Sequence, residues 1–146
     1  MMRLEMLEKR LAEKMKIVSK EKRSSAVRVA CELAVQICPV DLPVVDESLR
    51  QLLSGYKLSS EQVSKLERLA AKLDDEYFNL HDSLNEEREL NPQALRLFSQ
   101  ARVVSALAFA GRDDSIDSAT EAIYEAATAV DDGQVLNAVL SILSEI

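Results

Sequence analysis

The sequence predicts an all-α protein, a compact bundle of six to seven helices, and three observations carry that expectation. Glycine and proline number three each in 146 residues, whereas together they make up about 12% of an average chain. So few turn formers leave little for the tight connections of a sandwich or barrel. Ala, Leu, Glu, Lys and Arg fill the space instead, and all are good helix formers. Apolar residues then recur at spacings of three and four, the signature of helix faces packed on a core. One domain over residues 1–146 is expected at this length, burying roughly 70% of the surface that the unfolded chain exposes. A short α-solenoid of helix pairs is the alternative, because the last three helices start at roughly twenty-residue intervals.

Residues 3–22 read as a basic amphipathic helix with Leu4, Leu7, Leu11, Met15 and Val18 on one stripe. It either packs on the body or extends from it. Ser24 or Ser25 is placed to cap a second helix through "AVRVACELAVQIC", which stops before Pro39 because the residue ahead of a proline avoids the helical state. "PVDLP" is a stiff, extended connector. Asp46 then caps the short helix "ESLRQLLS", closed by Gly55. Ser59 and Gln62 form a capping box for the next helix, whose stripe is Val63, Leu66, Ala70, Leu73, Tyr77 and Leu80. The polar stretch 81–91 reads as a loop. Asn91 and Pro92 start the fifth helix, which is apolar on most sides and so belongs mid-bundle; Gly111 ends it. Asp114 or Ser115 caps the sixth, striped by Ile116, Ala119, Ile123, Ala126 and Val130. Residues 134–146 form a last helix with one thin polar line, Gln134, Asn137, Ser141 and Ser144.

The chain is 47% hydrophobic and 29% charged, a globular balance. No run of eighteen uncharged apolar residues predicts a membrane span, and the N-terminus lacks the apolar core of a secretory signal. Cys31 and Cys38 lie two helical turns apart, about 10 Å, beyond the reach of a disulfide within one helix. Reduced, core-filling thiols and a cytoplasmic location are expected. The net charge of −7 is unevenly spread: residues 1–30 hold nine Lys/Arg and four Asp/Glu, and the remainder nine and twenty-one. A basic end on an acidic body serves as a nucleic-acid arm or packs against the protein's own acidic surface. The first thirty residues lack Phe, Tyr and Trp, so they offer no stacking platform. No nucleic-acid partner is expected.

Chemistry is sparse. With Asp113, Ser115 and Asp117 at the first positions of a calcium loop, the required Gly is Ser118 and the required Glu is Tyr124, so the loop fails. One His and two Cys make no transition-metal set. His81, placed near a helix C-terminus, reads as a capping charge. No nucleophile elbow, phosphate-binding glycine loop or dinucleotide fingerprint occurs. No catalytic, metal or cofactor residues are therefore expected.

Surfaces remain. Residues 113–133 carry seven acids and no basic residue. Asp117, Glu121 and Tyr124 fall opposite the apolar stripe of the sixth helix with Glu125 beside them, and Asp131 and Asp132 follow. These six are the first candidates for a face that grips a basic partner. A second acidic stretch, 74–89, offers Asp75, Phe78, Asp82, Glu86 and Glu87, with Phe78 off the core stripe. Small, acidic, catalytically bare helical proteins with acid–aromatic patches resemble bacterial immunity proteins, which neutralise basic nuclease toxins. The analogy is one of class. It implies a non-enzymatic protein that binds a basic protein. The alternative is a self-associating adaptor or chaperone-like module, a homo-oligomer through helix 3–22 or helix 134–146.

Overall fold

A computed structural model describes residues 9–83, 92–113, 115–130 and 133–144. Of these, 86% are helical, in seven helices and no strands. The helices are α1 (Lys9–Ile17), α2 (Lys20–Ile37), α3 (Pro43–Leu53), α4 (Ser60–Ser83), α5 (Pro92–Arg112), α6 (Ile116–Val130) and α7 (Gln134–Leu143). The packing follows the order α4, α5, α6, α2, α7, with α2 also touching α5. Helix α3 bridges α2, α4 and α5, and α1 lies on α6 and α7. The bundle reading holds.

The N-terminal helix departs from expectation. It ends at Ile17, and α2 begins at Lys20 behind Ser19, whose hydroxyl accepts a hydrogen bond from the Lys22 N–H at 3.1 Å. Seven residues without an apolar side chain, Ser19–Ser25, mark the break. Ser19 caps it, not Ser24 or Ser25. The Arg23 guanidinium reaches back to the last turn of α1, donating to the Val18 carbonyl at 2.9 Å and the Met15 carbonyl at 3.3 Å. It thus satisfies acceptors that a helix end leaves open. Helix α1 packs on the body, with Leu11 and Met15 fully buried.

Helix α3 also starts earlier than expected. Pro43 sits in its first turn behind an extended Leu42, and no side chain caps it; proline is pre-shaped for that place. Asp46 lies inside the helix. Gly55 adopts φ +89°, and the Gly55 and Tyr56 N–H groups bond the Leu52 and Gln51 carbonyls, the Schellman closure that glycine allows. The Ser59–Gln62 capping box is formed in both directions at 3.1 Å. Ser115, hydrogen-bonded by the Ser118 N–H, caps α6.

Helix α5 is the centre, with Ala101, Val103, Val104, Ala106, Leu107 and Ala108 buried. Gly111 does not end it. It lies within the helix, buried, and a Cβ there would overlap the Leu58 side chain. In α7, Val135, Val139 and Leu143 are buried against the chain's own helices, while the expected polar line is exposed. Among the described residues no helix is long and apolar enough to cross a membrane. The expected cap at Asn91 lies outside the described residues, and the loop expected from residue 81 lies there from residue 84 onward, since α4 runs on to Ser83.

Candidate functional site

The face expected on α6 is only partly a surface. Asp117 is exposed, and Glu121, Tyr124 and Thr128 are half-buried. Glu125 is 2% exposed, which removes it from any docking face. The reason is that α6 packs on two sides, against α5 and against α2. Ser118, Ala122, Glu125 and Ala129 make a second buried line beside the apolar stripe.

Glu125 is buried because Arg102 of α5 meets it there, Nη1 to Oε1 at 3.3 Å. The other terminal nitrogen of Arg102 bonds Asp74 of α4 at 2.6 Å. One guanidinium therefore joins three helices through their charged groups. Its face also lies over the Phe98 ring, 5.3 Å from the centroid. Breaking such a pair strands a charge away from water, so the cluster fixes the arrangement of α4, α5 and α6.

An aromatic chain leads from this junction to the surface. Tyr77 packs on Phe98 with centroids 5.6 Å apart, and Phe78 meets Tyr77 edge-on at 5.1 Å and 62°. Edge-to-face pairs of this kind are favourable beyond their area. Phe78 ends the chain with 56% of its surface exposed. Asp75 and Glu76 are exposed just ahead of it on α4, and Leu95 is 46% exposed on α5. The structure thus brings Asp75 and Phe78 together on one open helix. Glu86, Glu87, Asp131 and Asp132 lie outside the described residues, as do the side chains of His81 and Asp82.

At the start of α6 the Asp113 carboxylate accepts the Ser115 N–H at 2.9 Å. Hydrogen bonds from Ser115 and Ser118, helped by the nearby Arg112 charge, hold its pKa down at about 2. Its acidity is local capping chemistry. Cys31 is buried, its S–H directed at the Ala106 carbonyl at 3.9 Å, and desolvation pushes its pKa up to about 12. Burial also raises Cys38, against a lowering pull from Arg96. Both thiols are free. Among the described residues no three His, Cys, Asp or Glu side chains gather closely enough to hold a metal ion.

Family models, curated proteins and solved structures offer no match to this chain.

The buried pairing of Glu125 had a signal in the sequence. Arg102 is a lone cation in the middle of an apolar helix, and Glu125 stands on a line of small residues at spacings of four, three and four. An arginine in an apolar helix needs a carboxylate within reach. The small-residue line says where the backbones come close enough to provide it.

Proposed function

We propose that this protein is a non-enzymatic bundle that grips a basic protein surface through the outer face of α4, with Phe78 as the anchor and Asp75 and Glu76 beside it. One observation carries the reading: a large aromatic side chain stands 56% exposed, backed by Tyr77 and Phe98, amid exposed carboxylates. An aromatic held in one orientation loses little entropy on binding, the property of an interface hot spot. The net charge of −7 speeds encounter with a cationic partner by factors of about 10 to 10³. Asp117 and Glu121 on α6 add to that field without serving as anchors. An inhibitor of the immunity type, masking a basic nuclease, is the function that fits these features, and two free thiols accord with a reducing, cytoplasmic setting.

The test begins with capture from the native cell on the immobilised full chain, followed by stopped-flow kinetics with the captured protein at two salt concentrations. Phe78→Ala should raise the dissociation rate and cost about 2 kcal/mol of binding. Reversing Asp75 and Glu76 to Lys should slow association and flatten its salt dependence. Unchanged kinetics in both variants would overturn the assignment. A mass that grows with concentration in the isolated chain, and stops doing so in Phe78→Ala, would assign the patch to self-association instead.

A further inference from the structure

Part of the surplus of cations near the N-terminus lies on α2. Lys20, Arg23, Ser24, Val27, Arg28 and Cys31, spaced by three and four residues, form one face of that helix and one wall of a cleft of about 310 Å³. Tyr56 and Lys57, carried on the turn that Gly55 opens, form the facing wall, and Leu52, Ala110 and Ala119 close the apolar floor with Val27 and Cys31. Asp113 also lines the cleft. That carboxylate is already engaged by Ser115 and Ser118.

The two arginines are held in place by neutral groups. Arg23 is fixed by the Met15 and Val18 carbonyls, and its Nε is buried without a hydrogen-bond partner. Arg28 is held by the Ser25 hydroxyl at 3.2 Å. Among the described residues neither has a carboxylate partner. In a chain with 25 acids and 18 Lys/Arg, leaving two guanidiniums of one cleft lining without acids among the described residues calls for an explanation. Charge neutralisation does not supply one.

We infer that this cleft binds a small organic phosphate, its anionic head against Arg23, Arg28, Lys20 and Lys57 and its apolar or aromatic body on the floor beside Tyr56. Planar guanidinium forks match phosphate oxygens better than any other side chain. The volume stands at the lower end of the range for small-ligand sites, about 300 to 1,000 Å³, which suits a compact ligand rather than a protein face. Tyr56, 68% exposed, offers a ring for a flat body to lie on. The overall charge of −7 opposes an anion only at long range. Screening beyond a Debye length of about 8 Å leaves the local cations in control.

Titration of the full chain with phenyl phosphate, inorganic phosphate and phenol, followed by ¹H–¹⁵N NMR, tests this. Phenyl phosphate should give saturable shifts at Ser24, Val27, Arg28, Tyr56 and Lys57, and each half-molecule should bind about tenfold more weakly or worse. Arg28→Gln and Lys57→Gln should each weaken phenyl phosphate about tenfold with the rest of the spectrum unchanged. Phe78→Ala should change nothing, so the result is independent of the α4 assignment. The inference is overturned by the absence of saturable shifts in the cleft up to about 10 mM. It is equally overturned by wild-type affinity in a folded Arg28→Gln.

Discussion

Arg102 and Arg28 are the same residue type in two regions of one small bundle, and they are treated oppositely. Arg102 stands between two carboxylates, Asp74 and Glu125, and lies over an aromatic ring. Arg28 has a serine hydroxyl and, like Arg23, no carboxylate among the described residues. The first region matches its charges internally, at the cost of desolvating them, and gains a fixed geometry for three helices. The second keeps positive charge available at a cleft. A charge paired inside serves the fold, and one held in place but unpaired is available to something outside.

Removing an arginine from each region separates the two roles. Arg102→Met takes away the guanidinium that Asp74 and buried Glu125 share and should cost about 3–5 kcal/mol in urea unfolding. Replacing Glu125 by Leu as well should recover most of that, because an apolar pair of similar volume is often neutral or better. A double variant as unstable as the single one would mean that packing around Arg102, not its charge, holds the junction.

Arg23→Gln comes next. It removes two charge-assisted bonds to the Val18 and Met15 carbonyls, each of which would then need water. A loss of about 1.5–3 kcal/mol is expected, with amide exchange speeding up in α1 while the α4–α6 junction stays protected. Uniform loss of protection through the molecule would show that α1 is not a separate layer held by Arg23.

Legibility in the sequence followed the number of faces a helix uses. Helix α4 has one core face, so Val63, Leu66, Ala70 and Leu73 could be read from spacing alone, and all are buried. The Ser59–Gln62 box was equally legible because it is local. Helix α6 buries two faces, and spacing along a single stripe misplaced Glu125. The α1–α2 break was hidden because Val18 continues the stripe past the end of the helix. Of the candidate site, Asp75 and Phe78 were legible as off-stripe residues. The cleft was not, since it joins residues 20–31 to 52–57 and 110–119, and only the tertiary fold brings those segments together.

Gly111→Ala probes the seat of the turn that carries Tyr56 and Lys57. Alanine suits a helix interior better than glycine by about 1 kcal/mol. Here the added carbon would overlap Leu58, whose own Cβ stands 2.9 Å away, so rotating the leucine tip cannot relieve it. Overpacking of about 1–3 kcal/mol should outweigh the propensity gain, for a net loss of about 1 kcal/mol by urea unfolding. Tyr56 and Lys57 NMR signals should move with it. A stabilised variant would show that the turn yields without strain and that the cleft's facing wall is not fixed by Gly111.

The smallest effect belongs to Asp113, which lines the cleft. Its pKa is lowered from 3.8 to about 2, so the folded state favours the ionised carboxylate. The resulting stability is present above pH 3.8 and is lost as pH falls toward about 2. The group is almost fully solvated, so screening keeps the contribution small, within about 0.5 kcal/mol. Asp113→Asn retains an oxygen for the Ser115 N–H and removes only the charge. It should be slightly less stable than the parent near neutral pH, and the gap should close as pH approaches about 2 or as salt rises to about 1 M. The same substitution should strengthen phenyl phosphate binding, since it removes a carboxylate that lines the cleft. Unchanged or weaker binding would place the anion away from Asp113 and leave Arg28 and Lys57 to define where it sits.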